Sequence, residues 1–364
     1  MYRPAATASG PFREGDDMIE KAVDLKVAQQ EQQEFSILKD NFNRKISYMR
    51  ISITDRCNLR CTYCMPAWGF EWMDRNSLLT YDEIIRLVSV AAKRGLYKVR
   101  ITGGEPLVRD GVVDFVAGIN AIPGITEIAL TTNAVLLKKY AQGLKNAGMQ
   151  RVNISLDSLD PKKFEEVTRG HVFWKVWEGI EEAELVGFSP LKINVVLQKG
   201  VNDMEAVDFA KMTIDKPYDI RFIEYMPVND YEDWKSKYIP VAEIKERISK
   251  ELGELIPVEE TESAGPAKNF RLDGAKGGVG FITAISDNHF CEKCNRVRLT
   301  ADGKIRPCLF SAIEVDFLEA LRSNCSDEDI DSLYDQVLGI KPQAHELDKF
   351  SEEKMLKAMV NIGG

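Results

Sequence analysis

Nowhere in this chain does an apolar run approach the roughly 18 residues that a membrane-spanning helix requires, so no membrane partner is expected. An excess of positive charge is missing too: 48 Lys and Arg stand against 57 Asp and Glu, a net charge of −9. The molecule as a whole therefore has no electrostatic preference for nucleic acid or anionic lipid, although a local basic pocket stays open to it. The first residues, MYRPAATASGPFREGDDMIEKAVDLK, carry no apolar core for secretion and hold acidic residues that mitochondrial transit peptides avoid, which gives a cytoplasmic expectation. No short internal repeat is evident. Cysteine is sparse, seven in 364 residues, yet six of the seven fall into two tight groups. In a reducing compartment such grouping points to metal or redox chemistry more than to a disulfide framework. Cys325, in SNCSDEDI, stands apart and reads as a lone thiol near a surface turn.

What is present is ordinary globular composition, 44% hydrophobic and 29% charged, enough for one large domain or two moderate ones. Residues 1–38 read as an extension, with Ile19, Val23, Val27, Phe35 and Leu38 on one face of an amphipathic helix or a partly disordered segment. From 39 to 228 the pattern alternates strands at 48–54, 98–104, 127–133, 151–157, 191–198 and 219–227 with helical segments. Thr80 is a helix N-cap and Gly148 a helix stop in that reading. Successive β–α units predict an α/β fold with a parallel sheet, doubly wound or curled into a barrel. Residues 229–364 change character and predict a smaller α+β domain, ending in Gly363 and Gly364.

The strands favour the barrel. Parallel strands covered on both faces normally read as unbroken apolar runs. Here Arg100 and Thr102 alternate with Val99 and Ile101, Asn153, Ser155 and Asp157 with Val152, Ile154 and Leu156, and Lys192 and Asn194 with Leu191 and Ile193. Strand side chains have a period of two, so each strand shows an apolar face to the helices and a polar, partly cationic one to a lumen. An incomplete (βα)6 barrel with such a lumen predicts a cavity for an anionic guest.

The first cysteine group, Cys57, Cys61 and Cys64 in DRCNLRCTYCMP, follows the first strand, at the sheet edge where barrels place their chemistry. Three thiolates can hold three irons of a cubane and leave the fourth with open coordination. A zinc knuckle with a distant fourth ligand is the alternative. The second group, Cys291, Cys294 and Cys308, allows zinc as readily as iron, with Cys325, His289 or His345 as a fourth ligand. It encloses Arg296 and Arg298, which at strand spacing share one face and suit phosphate or base edges.

The Cx3CxxC group followed by Gly103-Gly104-Glu105-Pro106 resembles the radical S-adenosylmethionine (SAM) enzymes. With ISLDSLD, LKINVV, RFIEYMP, the NRVRLTADGKIRPCL block and the Gly-Gly terminus, the chain from about Asn41 onward is similar to one branch of them, the GTP 3′,8-cyclases of molybdenum cofactor biosynthesis. The resemblance implies a lyase carrying two 4Fe-4S clusters. One, on Cys57, Cys61 and Cys64, binds SAM; the other, on Cys291, Cys294 and Cys308, binds GTP. It implies SAM contacts at Tyr63, Gly104, Ser155 and Met226, and GTP contacts at Arg50, Arg100, Thr131, Lys192, Arg296, Val297 and Arg298. Arg296, Arg298, Gly363 and Gly364 would be the catalytic set, the last two on a tail that reaches the site. A deoxyadenosyl radical would take the ribose 3′ hydrogen of GTP, and closure on C8 with reduction would give 3′,8-cyclo-7,8-dihydro-GTP. Implied partners are a flavodoxin- or ferredoxin-like electron donor, the downstream cyclic pyranopterin monophosphate synthase and a second copy in a homodimer. Two positions depart from the family pattern: Ala134, where glycine is usual, and Tyr225, where leucine is common.

Overall fold

In a computed structural model of the chain, which describes residues 36–65, 71–226, 234–259 and 265–345, the strands join a single sheet. Six of them follow the expected alternation: β1 (Tyr48–Ser52), β2 (Lys98–Thr102), β3 (Glu127–Thr132), β4 (Arg151–Ser155), β5 (Leu191–Val196) and β6 (Tyr218–Ile223), parallel and in chain order. Between them run α1 (Tyr81–Lys93), α2 (Val112–Asn120), α3 (Leu137–Asn146), α4 (Pro161–Thr168), α5 (Phe173–Leu185) and α6 (Ala206–Asp215). Thr80 caps α1 through a reciprocal capping box with Glu83, which satisfies two otherwise orphaned N–H groups. Gly148, at φ +99°, turns the chain away after α3.

The outward face of each strand is the one the helices cover. Met49, Ile51, Val99, Ile101, Ile128 and Leu130 are fully buried there, together with Leu87, Val88 and Val116 from the helices. Burying a side chain of this size contributes about 1.5–3 kcal/mol, so this layer dominates stability.

The segment after 229 makes no separate sheet among the described residues. β7 (Ile256–Pro257), β8 (Lys268–Arg271) and β9 (Gly278–Ile282) continue the sheet beyond β6, and β10 (Arg296–Leu299), β11 (Lys304–Arg306) and β12 (Val315–Asp316) continue it beyond β1. β9 pairs parallel with β6 and β10 parallel with β1, so the expected six-stranded wall is extended at both edges. Backbone groups at those edges would otherwise lie unpaired. Helix α7 (Val241–Leu252) packs beside α6, and α8 (Asp327–Gly339) packs on α1. Arg94, almost fully buried, bonds Asp331 at 3.1 Å and Asp335 at 2.8 Å, and the Tyr334 hydroxyl donates to the Leu87 carbonyl.

Residues 1–35 and the tail with Gly363 and Gly364 lie outside the described residues. Leu38, read from the sequence as part of a helical face, is instead a non-helical core residue next to the Lys39–Lys45 bridge. Its N–H donates to the Arg94 carbonyl at 3.0 Å, and its carbonyl accepts from Ile46 N–H at 2.8 Å.

Candidate active site

One cavity at the C-terminal ends of the strands is lined by both cysteine groups. Cys57, Cys61 and Cys64 enter from the loop after β1; Cys291, Cys294 and Cys308 enter from the loops on either side of β10 and β11. All six thiols are unbridged and half-buried. Among the described residues no three His, Cys, Asp or Glu converge as ligands of one metal ion. A cubane asks for a different arrangement, one thiolate on each of three irons, and three cysteines per loop set match that donor count.

The first loop is held by its neighbours in sheet order. Glu105, buried at the end of β2, accepts from Leu107 N–H at 3.0 Å, the Thr132 hydroxyl at 2.8 Å and Asn133 N–H at 2.7 Å, tying the β2 turn to β3. Burial pushes its carboxyl up to about 7 despite those donors. Leu59 N–H reaches the Cys57 sulfur at 3.4 Å and Asn133 Nδ2 reaches it at 3.8 Å. The Tyr63 hydroxyl donates to Asp157 Oδ2 at 2.6 Å, and Val196 N–H donates to Asp157 Oδ1 at 2.8 Å. Burial raises the Cys57 thiol to about 11, with Cys61 and Cys64 also raised. Such thiols become thiolates in water-poor surroundings when a metal takes the charge.

Gly104 has a second reason to be glycine besides close approach of a ligand. A Cβ there would lie 2.3 Å from the Arg56 carbonyl oxygen, inside the cysteine loop itself. Gly104→Ala should therefore displace the loop, and reconstituted protein should lose SAM affinity by at least about tenfold, measurable by equilibrium dialysis. Ala134, at the family's glycine position, has φ +62° and is fully buried. The left-handed conformation explains why glycine is usual there, and a single alanine tolerates it at a cost of about 1–2 kcal/mol.

The lumen is cationic, and register makes it so. Arg298, Arg50 and Arg100 stand level on β10, β1 and β2. Adjacent strands lie about 4.8 Å apart, so the three guanidiniums crowd one another. One pleat deeper, Arg296, Tyr48, Lys98 and Glu127 are level, and across the barrel Ser155, Asn194 and Arg221 are level. Only two carboxylates offset the cations on these strand faces, Glu127 toward Lys98 and Arg151, and Asp219 toward Lys192 at 3.4 Å. Arg100 and Arg221 each keep a buried Nε without a hydrogen-bond partner among the described residues, as do the Thr131 hydroxyl and the Asn194 carbonyl oxygen. Burial and the Arg100 charge pull Arg221 down to about 10, and burial and Arg296 do the same to Arg298.

Tyr63, Gly104, Ser155, Met226, Arg50, Arg100, Thr131, Arg296 and Arg298 all line the cavity. Lys192 does not; it sits deeper, beside Asp219. The Val297 side chain points into the core, leaving only its backbone toward the lumen. Asp157 and Asn194, on the lumen faces that the strand alternation marks, line it as well, and so do Asn133 and Arg221, which the alternation did not single out. Arg221 was within reach, since it shares the parity of Asp219 and Ile223 on β6.

Burial, with Arg151 and Arg221 respectively as the leading like charges, holds Lys98 down at about 8 and Lys192 at about 7. Both pKa values are below those of the unfolded chain, near 10.4, so between pH 7 and 10 the unfolded state binds more protons and stability rises with pH. Ligand-free protein should melt at higher temperature at pH 9 than at pH 7. A triphosphate nucleotide should add more to the melting temperature at pH 7, where these ammonium groups carry charge.

Comparison with known proteins agrees with this geometry. The Radical SAM superfamily description matches residues 51–213, and that of Molybdenum Cofactor Synthesis C matches 218–347. The GTP 3′,8-cyclase of Alkaliphilus metalliredigens is 48% identical over 328 residues, 90% of this chain and 100% of its own. That of Thermodesulfovibrio yellowstonii is 50% identical over 329 residues, again 90% and 100%.

The chain belongs to the GTP 3′,8-cyclase family.

As a member of the radical SAM superfamily, this GTP 3′,8-cyclase family chain is an enzyme of molybdenum cofactor biosynthesis whose family employs a 4Fe-4S cluster and SAM. Among solved structures, Streptococcus suis SuiB bound to the precursor peptide SuiA has a TM-score of 0.58 at 18% identity, covering 92% of this chain and 73% of that one, a likeness of fold. Among the described residues no helix is long and apolar enough to cross a membrane.

Proposed function

We propose that this chain converts GTP to 3′,8-cyclo-7,8-dihydro-GTP, with the two cysteine groups at opposite ends of one job: one for SAM, one for the substrate. The observation that carries this reading is the lumen between them, where guanidiniums from β1, β2, β6 and β10 outnumber the carboxylates. A triphosphate supplies the missing charge, and in a water-poor cavity each such contact is worth far more than at the surface.

Cys57, Cys61 and Cys64 would hold the first 4Fe-4S cluster, which with SAM supplies the 5′-deoxyadenosyl radical that takes the ribose 3′ hydrogen. Tyr63, oriented by Asp157, and Gly104, Ser155 and Met226 would surround SAM. Cys291, Cys294 and Cys308 would hold the second cluster, facing the guanine. Arg50, Arg100, Thr131, Arg296, Val297 and Arg298 would grip the nucleotide, with Arg221 added and Lys192 acting from the deeper layer. Arg296 and Arg298 would be the catalytic cations, and the tail with Gly363 and Gly364 would reach the same cavity, whose wall includes His345. Joining C3′ to C8 within one molecule depends on geometry above all, and a strand-built cage gripping both ends of GTP provides it. A flavodoxin- or ferredoxin-like donor would feed the electron, cyclic pyranopterin monophosphate synthase would consume the product, and a homodimer is the assembly in this reading.

The test is anaerobic reconstitution with iron and sulfide quantification, then incubation with SAM, a reductant and GTP. About eight irons per chain and cyclised product formed only with all three are expected. Loading of one cluster alone, or deoxyadenosine formed without any response to GTP, would sink the reading.

A further inference from the structure

We infer that Lys341 is a positioning residue that holds the second cysteine triad together and sets the reduction potential of its cluster above that of the first. The inference rests on the reading that this triad carries a 4Fe-4S cluster.

Lys341 follows α8 and is only 3% exposed, an unusual place for an ammonium group. Its Nζ donates to the Cys294 sulfur at 3.7 Å, to the Arg296 carbonyl at 2.8 Å and to the Pro307 carbonyl at 2.6 Å. It thus joins the segment holding Cys294 to the residue before Cys308, although 14 positions separate those cysteines. The neighbouring residues fasten the same strap. Arg44 donates to the Cys291 carbonyl at 2.9 Å, the Gln343 carbonyl at 2.8 Å and the Pro342 carbonyl at 2.6 Å. His345 Nε2 bonds the Ala284 carbonyl at 2.7 Å. Cys294 therefore receives a hydrogen bond to its sulfur from a cation of this strap.

The first triad is built oppositely. Its sulfur-directed donors are neutral, Leu59 N–H and Asn133 Nδ2; the Arg60 guanidinium beside it donates to the Cys57 carbonyl at 2.6 Å and the Leu59 carbonyl at 2.8 Å rather than to a sulfur, and the acids Glu105 and Asp157 are buried in the same frame. Hydrogen bonds and positive charge at cluster sulfurs raise a potential, and negative charge lowers it. The asymmetry suits a first site that must donate a strongly reducing electron and a second that must not compete for it.

Replacing Cys57, Cys61 and Cys64 by alanine leaves one triad, whose cluster can be titrated alone by EPR-monitored redox titration after anaerobic reconstitution. In that background Lys341→Gln, which keeps a neutral donor, and Lys341→Met should move the midpoint to more negative potential, while Lys341→Arg should stay near the parent. An unchanged midpoint in both Gln and Met variants overturns the inference. Should the Met and Gln variants take up no iron, uptake by Lys341→Arg supports the positioning role, and failure of all three overturns it. A parent that holds no cluster at all removes the underlying reading instead, which the iron assay shows before any Lys341 variant is made.

Discussion

Cys61→Ala is expected to abolish SAM cleavage, by more than about 10³-fold, while iron content falls to about half that of the parent and the ligand-free melting temperature barely moves. The backbone carbonyl of Cys61 accepts from Cys64 and Met65 N–H, each at 3.0 Å, and alanine preserves both bonds. What is lost is one ligand of the set, and an iron–sulfur cubane anchored by two thiolates does not keep a site for a third party. Deoxyadenosine assays with iron quantification check both halves. Full activity in this variant would mean that the first group is not the SAM site. A collapse of iron content to zero would mean that the two groups do not load independently.

The second large effect concerns Arg221, which the sequence reading passed over. Arg221→Met should raise the KM for GTP by roughly 10²-fold or more, the scale of removing one buried charged partner, about 2–5 kcal/mol. The same substitution should raise the melting temperature of the ligand-free protein. Arg221 is buried, its charge is opposed by Arg100, and its Nε has no partner among the described residues. Methionine keeps most of the apolar stem and removes that strain. Opposite signs for binding and stability are the signature of a site kept electrostatically tense for its ligand. A variant that loses stability and GTP affinity together would make Arg221 a structural residue. Steady-state kinetics and thermal melts on one preparation decide between them.

The alternation of Arg100 and Thr102 with Val99 and Ile101 was enough to place a polar lumen, because a strand's period of two is a local property that tertiary packing cannot alter. The Thr80 N-cap was legible for the same reason: the Glu83 it bonds is three residues away. Cysteine spacing and the glycine pair carried the family resemblance on which the proposed chemistry of the first loop rests. None of these features needed a contact across the chain.

Other features did. The segment after 229 reads as a domain of its own, yet β9 and β10 complete the sheet on opposite edges, since an exposed strand edge pairs with whatever parallel strand the connections can deliver. Lys192 shares the lumen parity but lies deeper than the cavity wall; its layer is set by register with Asp219, which no strand discloses by itself. Asp157 under Tyr63 and Lys341 against Cys294 join residues 94 and 47 positions apart. The sequence by itself determined which side chains carry charge and which strand face they share. Only the tertiary structure decided how high each stands in the barrel and which charges meet there. Periodicity is written in neighbouring residues, whereas register and electrostatic balance arise only when distant strands are laid side by side.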